Sequence, residues 1–274
     1  LALNGFGVWA LVYASLTHSC VYYLIIIIVT RWKPKAIFSL SAVRNLFSFS
    51  SKILLISLVN TLFNNIKSLI IGRAYNSELL GFYNRGYQIP VLLMNNVDGA
   101  INAVTFPALS RFQDDYSILV QKLRRSLQVS IYFVWPAMIG LAVVSKPLII
   151  LLLTEKWLLS IPFVVLTSII CMFWPFSVFT HAINAVGKSG LALKLNLLSK
   201  SIALLFMAIT YRFGIYYFVG SSIFSSIISI SITMNVASRL LGFKVRDVIS
   251  DCAPTLLVSF IMGFCVYLIT YIPM

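Results

Sequence analysis

The chain has 274 residues, of which 60% are hydrophobic and only 10% are charged. A soluble domain averages about 45–50% apolar and about 25% charged residues, so the composition excludes an ordinary soluble domain. The formal net charge of +14 would favour a nucleic-acid ligand in a soluble protein. In a membrane protein, cationic loops that orient the helices explain it better, and no nucleic-acid partner is expected.

Long stretches without Asp, Glu, Lys or Arg predict membrane-spanning helices. Each has at least 20 residues, about the length that crosses a hydrocarbon core of about 30 Å. They are Leu1–Thr30, Ser126–Ser145, Trp157–Gly187, Phe213–Ser238 and Cys252–Met274. Because a helix satisfies its backbone hydrogen bonds internally, these runs predict an all-α integral membrane protein.

In chain order, the sequence predicts about eight transmembrane helices, near 6–29, 49–72, 81–110, 125–145, 159–185, 190–211, 214–238 and 253–272. A short apolar piece starting at Lys146 lies between the fourth and fifth helices. Residues 242–251 are predicted to be an amphipathic segment at the membrane surface. The loops on one side hold fourteen basic residues and those on the other side hold five, so the richer side is expected to be cytoplasmic.

Two similar stretches suggest an internal repeat. FGVWALVYASLTHS begins at Phe6 and FGIYYFVGSSIFSS begins at Phe213. If the match is a true repeat, residues 1–40 hold the last helix of an N-terminal lobe and a basic linker, and residues 41–240 form a six-helix C-terminal lobe. Residues 241–274 then hold the interfacial segment and an additional transmembrane helix. The offset of 207 residues predicts that about 165 N-terminal residues precede this chain in its complete form.

Polar side chains recur on single faces of several predicted spans. In the third span they are spaced by three, seven, three and four residues, which at 3.6 residues per turn places them on one face; they are Arg85, Gln88, Asn95, Asp98 and Asn102. The second span contributes Asn60, Asn64, Asn65 and Lys67, and the fifth contributes His181, Asn184 and Lys188. The sixth carries Asn196 and Lys200. Because lipid offers no hydrogen-bond partners, these stripes predict a polar, net cationic cavity suited to an anionic, sugar-bearing ligand.

Individual members of these stripes have simpler explanations. A single Asn can form a hydrogen bond between helices, and the side chains of Arg85 and Lys188 can extend to the lipid headgroups. His181 alone is typical of a hydrogen-bonded interior histidine. Asp98 is either a coupling-ion or proton site or an ion-pair partner of Arg85 or Lys67, and the sequence leaves these open. No pattern of a metal site, a cofactor-binding loop or a catalytic set is found, so neither a cofactor nor an enzyme is predicted.

Several strings of the sequence resemble one family of membrane proteins. They are GFGVWALV, RWKPK, NNIKSLIIG, LGFYNRGYQIP, TFPALSRFQDD and LLLTEKW, in this order along the chain. They are similar to the polysaccharide flippases of the Wzx type, which belong to the multidrug/oligosaccharidyl-lipid/polysaccharide exporter superfamily. The resemblance implies two six-helix lobes that face each other across a central cavity, followed by additional C-terminal helices. Compared with that pattern, this chain is expected to lack the first five helices of the N-terminal lobe and a last C-terminal helix.

The resemblance implies a function in exopolysaccharide or O-antigen biosynthesis. The family moves undecaprenyl-pyrophosphate-linked oligosaccharide from the cytoplasmic to the periplasmic leaflet of the bacterial inner membrane, by alternating access of the two lobes. On this basis we expect Arg85 and Lys67 to bind phosphate, and Asn64, Asn95, Asn102 and Asn184 to meet sugar hydroxyls. The expected partners are the lipid-linked oligosaccharide and the bilayer, with a polysaccharide polymerase and glycosyltransferases as candidate partner proteins.

Other functions remain open from the sequence. An ion-coupled small-molecule (multidrug) antiporter of the same superfamily would use Asp98 as its coupling carboxylate. A membrane glycan polymerase or ligase would need acids or bases outside the membrane, and the predicted outer loops hold only Glu78 and Glu155 as acids. A scaffold for a glycan assembly complex would not need the polar stripes.

Overall fold

The computed structural model describes residues 9–30, 58, 61–63, 65–111 and 115–271, without the side chains of residues 10, 11, 98, 100, 102–111 and 271. All regular secondary structure in these residues is helical, which confirms the predicted fold class. The chain divides into two compact units, Leu1–Val59 and Asn60–Met274. The predicted domain boundaries at residues 40 and 240 stay predictions.

The first unit contributes one described helix, α1, Trp9–Thr30. In the second unit residues 61–63 are helical, and α2 covers residues 65–74. The remaining helices are α3 Ser77–Arg111, α4 Tyr116–Val143, α5 Ser145–Leu153, α6 Ile161–Cys171, α7 Val178–Ala185, α8 Ser189–Thr210, α9 Ile215–Leu241 and α10 Val245–Tyr271. Short 3₁₀ helices, Glu155–Ser160 and Trp174–Ser177, precede α6 and α7.

The described helices confirm an integral membrane protein with multiple spans. Six segments are long and apolar enough to cross a bilayer: Val12–Thr30, Tyr116–Val143, Glu155–Ala185, Ser189–Thr210, Ile215–Leu241 and Val245–Thr270. Half of the predicted span at 49–72 lies outside the described residues. α3 has 35 residues, enough to span, but it carries the polar stripe and is not among the six.

The predicted start of α4 is too late. The helix begins at Tyr116, nine residues before the predicted start at 125, because Asp115 caps its first turn. The Asp115 carboxylate accepts hydrogen bonds from the backbone N–H groups of Ser117 at 3.0 Å and Ile118 at 3.2 Å. Such a cap satisfies amide groups that have no partner inside the helix.

The predicted helix at 159–185 is interrupted. α6 ends at Cys171 and α7 begins at Val178, with the 3₁₀ helix Trp174–Ser177 between them. Pro175 explains the break, because it lacks the N–H group that would bond to the Cys171 carbonyl in a continuous helix. From α4, the indole Nε1 of Trp135 donates a 2.9 Å hydrogen bond to the carbonyl oxygen of Met172, within the break.

Helices α4 and α6 lie at the centre of the second unit. α3, α7 and α10 pack against α4, while α8 and α9 pack together; both contact α7, and α9 also contacts α6. α3 and α6 approach closely at Gly86: a Cβ atom there would lie 2.5 Å from Cβ of Phe163 and 2.8 Å from the Ser160 carbonyl oxygen. The core side of α4 is an apolar stripe of helical spacing, Leu119, Leu123, Leu127 and Ile131, in which each side chain is at most 1% exposed.

Candidate functional site

The polar stripe of α3 lies on an exposed face of that helix. Arg85, Gln88 and Asn95 are all exposed. The opposite side of the same helix is buried, at Tyr83, Gly86, Pro90 and Met94. The structure therefore brings these three predicted site residues onto one surface. The side chains of Asp98 and Asn102, the other predicted members, lie outside the part that the structure describes.

Arg85 is positioned by two neighbours. Its Nη1 donates a 3.2 Å hydrogen bond to Oε1 of Gln88, and its guanidinium carbon lies 5.5 Å from the centre of the Trp157 ring. Planar guanidinium groups stack favourably on aromatic faces in this way. Both contacts leave the remaining N–H donors of Arg85 able to bind an anion. The nearby 3₁₀ helix Glu155–Ser160 thus sets the position of the charge at one end of the stripe.

Of the predicted residues in the second span, Lys67 has the most informative position. It is half-buried in α2. Asn65 is exposed, and its amide donates to the carbonyl of Thr61 at 2.8 Å. Asn60 and Asn64 lie outside the described residues. Lys67 is therefore partly shielded by the protein, whereas Arg85 lies exposed over Trp157.

A polar cavity of about 480 Å³ opens at this helix break. Its walls are the break itself, α7, α8 and α9, and we call it the hydroxyl cavity because seven Ser and Thr side chains line it. They are Ser177, Thr180, Ser199, Ser225, Ser226, Ser229 and Thr233. Asn196 and Lys200 from α8 complete the polar lining.

The hydroxyl groups on α9 are oriented by their own helix. Ser225 Oγ donates to the carbonyl of Ser222 at 3.1 Å, and Thr233 Oγ1 donates to the carbonyl of Ser229 at 2.9 Å. Each hydroxyl uses its hydrogen in this bond and keeps lone pairs that can accept another. The α9 wall therefore offers hydrogen-bond acceptors, which match the hydroxyl groups of a sugar.

Lys200 is the charged residue in the lining of the hydroxyl cavity. Its Nζ lies 4.9 Å from the centre of the Phe63 ring, so it connects α8 to the segment that precedes α2. Among the residues that the structure describes, the lining contains no carboxylate. An anion or a polyol can bind at such a wall, whereas acid–base catalysis would need a second titratable group.

The other predicted site residues lie around the end of α7 and outside the lining of the hydroxyl cavity. His181 and Asn184 are half-buried on α7, and His181 has an interaction partner. Lys188 is exposed at the start of α8. Thr180, which precedes His181 on α7, lines the cavity.

Sequence reasoning missed the hydroxyl wall on α9. Its members Ser225, Ser229 and Thr233 are spaced by four residues and therefore share one helix face. In the sequence, the serine-rich run that begins this helix serves only as evidence of an internal repeat. The spacing of these hydroxyl residues is the signal that could have identified the wall.

A second, apolar cavity of about 750 Å³ lies on the other side of the helix break. It is formed by α4, α6 and α10 and is lined by residues such as Trp135, Met138, Phe260 and Phe264. Phe173 and Phe176 from the break line both this apolar cavity and the hydroxyl cavity. The broken helix therefore forms a wall that the polar and the apolar cavity share.

Comparisons with known proteins agree on one family and one fold. The sequence profile described as "Polysaccharide biosynthesis protein" matches residues 1–162. Teichuronic acid biosynthesis protein TuaB of Bacillus subtilis (strain 168) is 30% identical over 140 residues, which cover 51% of this chain and 29% of TuaB. Lipopolysaccharide biosynthesis protein WzxC of Escherichia coli (strain K12) is 30% identical over 139 residues, which cover 51% of this chain and 28% of WzxC. The chain thus aligns with less than a third of the length of either relative.

The fold also matches a solved transporter. Lipid II flippase MurJ, in an inward closed conformation, superposes with a TM-score of 0.62 at 16% sequence identity. The superposition covers 89% of this chain and 57% of the MurJ chain. At this identity the likeness concerns the arrangement of helices alone.

Proposed function

We propose that the complete protein translocates a lipid-linked oligosaccharide across the bacterial inner membrane. The reason is that this chain belongs to the polysaccharide biosynthesis protein family of Wzx-type flippases. The proposed substrate is an undecaprenyl-pyrophosphate-linked glycan for exopolysaccharide or O-antigen biosynthesis. Its lipid tail can stay in the bilayer, so the barrier is the transfer of pyrophosphate and hydroxyl groups through hydrocarbon. A cavity that opens alternately to each side would supply substitute hydrogen-bond partners.

The observation that carries this proposal is the exposed polar face of α3. Arg85, Gln88 and Asn95 share that face in a helix of 35 residues. Lipid would leave these groups without partners, so a facing wet cavity is the arrangement that suits them. In the complete protein we place a second lobe opposite this face, with the substrate site between the lobes.

We assign the phosphate groups to Arg85 and Lys67, and the sugar hydroxyls to the amides of Asn64, Asn95, Asn102 and Asn184. The hydroxyl cavity, with Asn196 and Lys200 in its wall, extends this set of polar groups on the α8 and α9 side. The remaining predicted lining residues are Asn60, Asn65, Gln88, Asp98, His181 and Lys188. On this proposal the protein is a transporter that acts with a polysaccharide polymerase and glycosyltransferases.

The test is an export assay in a bacterial strain that lacks its own flippase and carries the full-length gene. Arg85→Ala should abolish surface polysaccharide at normal protein levels in the membrane, because it removes a phosphate-binding charge. Arg73→Ala is the matched control, since Arg73 is also exposed but is not part of a stripe. Unchanged export in Arg85→Ala would remove Arg85 from the site.

The antiporter alternative predicts a different result in the same strain. An ion-coupled drug exporter would change the susceptibility of the cells to cationic drugs, and Asp98→Asn would abolish that change. No change in drug susceptibility, together with restored polysaccharide export, supports the flippase. Drug resistance without polysaccharide export would overturn it.

A further inference from the structure

A basic pocket of about 510 Å³ lies between the first turns of α4 and the second turn of α10. Its polar lining consists of Ser117, Gln121, Lys122, Arg124, Arg125, Gln128 and Asp251. It shares no lining residue with the hydroxyl cavity or the apolar cavity. It also lies on helices other than α3, which carries the proposed transport face.

The charges of the basic pocket favour an anionic ligand. Nε of Arg124 and Oδ2 of Asp251 form a salt bridge of 2.6 Å, and Asp247, one turn earlier on α10, also attracts Arg124. The Asp251 carboxylate is therefore paired with Arg124. Lys122 and Arg125 are exposed, and neither forms an ion pair within the part of the chain that the structure describes. Their charges, flanked by the amides of two glutamines, are available to a phosphate group.

The pocket lies at the depth of lipid headgroups. On α4 the charged residues stop at Arg125, and Ser126–Ser145 carries none; on α10 they stop at Asp251, and Cys252–Met274 carries none. The salt bridge between Arg124 and Asp251 holds these two boundaries side by side. Phosphate groups of a bilayer lie where charged and apolar zones of a membrane protein meet.

The same pair of helices also forms the apolar cavity farther along its length. On α4 the basic pocket extends to Gln128 and the apolar cavity starts at Trp135. Seven residues of helix correspond to about 10 Å. A charged end and an apolar end at this separation match the headgroup and the acyl chains of one membrane lipid.

We propose that the cleft between α4 and α10 binds an anionic glycerophospholipid, with its phosphate on Lys122 and Arg125 and its acyl chains in the apolar cavity. The lipid stabilises the contact between α10 and α4 and is distinct from the carried substrate. This inference does not depend on transport, so its test and the export assay can fail independently.

The test uses the full-length protein in detergent, titrated with phosphatidylglycerol, and counts bound lipid by native mass spectrometry. Each cation near a membrane surface contributes about a fivefold gain in affinity for anionic lipid, so the double variant Lys122→Gln/Arg125→Gln should bind about 25-fold more weakly. The matched control is Lys146→Gln/Lys156→Gln, which removes two exposed charges elsewhere and should bind like the parent protein. Phosphatidylcholine with the same acyl chains should bind more weakly than phosphatidylglycerol to the parent protein.

Ala142→Phe tests the acyl-chain half of the proposal, because Ala142 lines the apolar cavity and the larger ring would fill part of it. It should weaken phosphatidylglycerol binding several-fold while both lysine and arginine charges remain. Equal binding of the two headgroups, or unchanged binding by the double variant, would overturn the proposal. Displacement of phosphatidylglycerol by inorganic phosphate alone would contradict a site that binds both the headgroup and the acyl chains. Tighter binding of a polyprenyl phosphate, with displacement of phosphatidylglycerol, would assign the cleft to the carried lipid instead.

Discussion

The indole of Trp135 and the backbone of Met172 are joined by a 2.9 Å hydrogen bond that crosses from α4 to the broken helix. Trp135 is only 7% exposed, so the bond is shielded from solvent. It supplies a donor for a carbonyl group in the segment where Pro175 prevents a continuous helix. This hydrogen bond therefore links the break between α6 and α7 to α4.

Replacement of this tryptophan tests how much the bond stabilises the break. Trp135→Phe keeps an aromatic ring but leaves the Met172 carbonyl without its donor, which should cost about 1–3 kcal/mol. We expect a lower midpoint of thermal unfolding for the purified full-length protein. Trp9→Phe, at a 65% exposed position, should leave the midpoint unchanged. Equal midpoints for the parent and Trp135→Phe would show that the bond adds no stability.

The close approach of α3 and α6 predicts a strong effect at one glycine and none at another on the same helix. Gly86→Ala would place a methyl group 2.8 Å from the Ser160 carbonyl and should destabilise the protein by about 1–3 kcal/mol through overpacking. Gly81→Ala is the control, because no neighbouring side chain or helix comes within 4 Å of the position that its Cβ would take. Thermal unfolding of both variants measures the difference. Similar stability of the two variants would contradict the described contact.

The hydroxyl cavity makes a prediction about transport. Lys200→Met keeps most of the length of the side chain but removes its charge, and we expect a loss of export of about tenfold or more if the lysine binds an anionic group. Lys194→Met removes an exposed charge from the same helix and should export normally. The readout is surface polysaccharide at matched membrane levels of protein. Normal export by Lys200→Met would exclude a role of its charge in substrate binding.

The cap of α4 predicts a dependence on acid. Hydrogen bonds from the Ile118 backbone and the Ser117 side chain lower the pKa of the Asp115 carboxyl below its ordinary value. The stability that this cap provides is therefore fully present above the unfolded-state pKa of about 3.9 and is lost as pH falls through the lower folded-state pKa. Asp115→Asn should remove this acid-dependent loss, because a neutral amide oxygen accepts the same bonds at every pH. Thermal unfolding midpoints measured from pH 6 downward would show the difference, and identical profiles would contradict it.

Local periodicity is sufficient to predict the polar face of α3. The spacing of Arg85, Gln88 and Asn95 determines which face they share, and the structure places all three on one exposed surface. The contacts of Arg85 could not be predicted in the same way. Trp157 lies 72 residues farther along the chain, and only the packing of α3 against the segment before α6 brings the two together.

Hydropathy alone conceals the break between α6 and α7. The run Trp157–Gly187 contains no Asp, Glu, Lys or Arg and has the composition of one apolar span. Pro175 lies in that run, but a proline in a membrane helix can either bend or interrupt it, and neighbouring helices decide the outcome. Here the donor from Trp135 on α4 stabilises the interrupted form. The start of α4 could not be predicted from composition either, because the charged residues in its first turns are equally typical of a loop.

The wall formed by Phe173 and Phe176 gives the two cavities a common boundary. In a closely packed interior, a ring that turns toward one cavity vacates space in the other. The volumes of about 480 and 750 Å³ are therefore not independent quantities. A bulky occupant of the apolar cavity would push these rings toward the serines of α9. Filling the apolar cavity would therefore narrow the hydroxyl cavity.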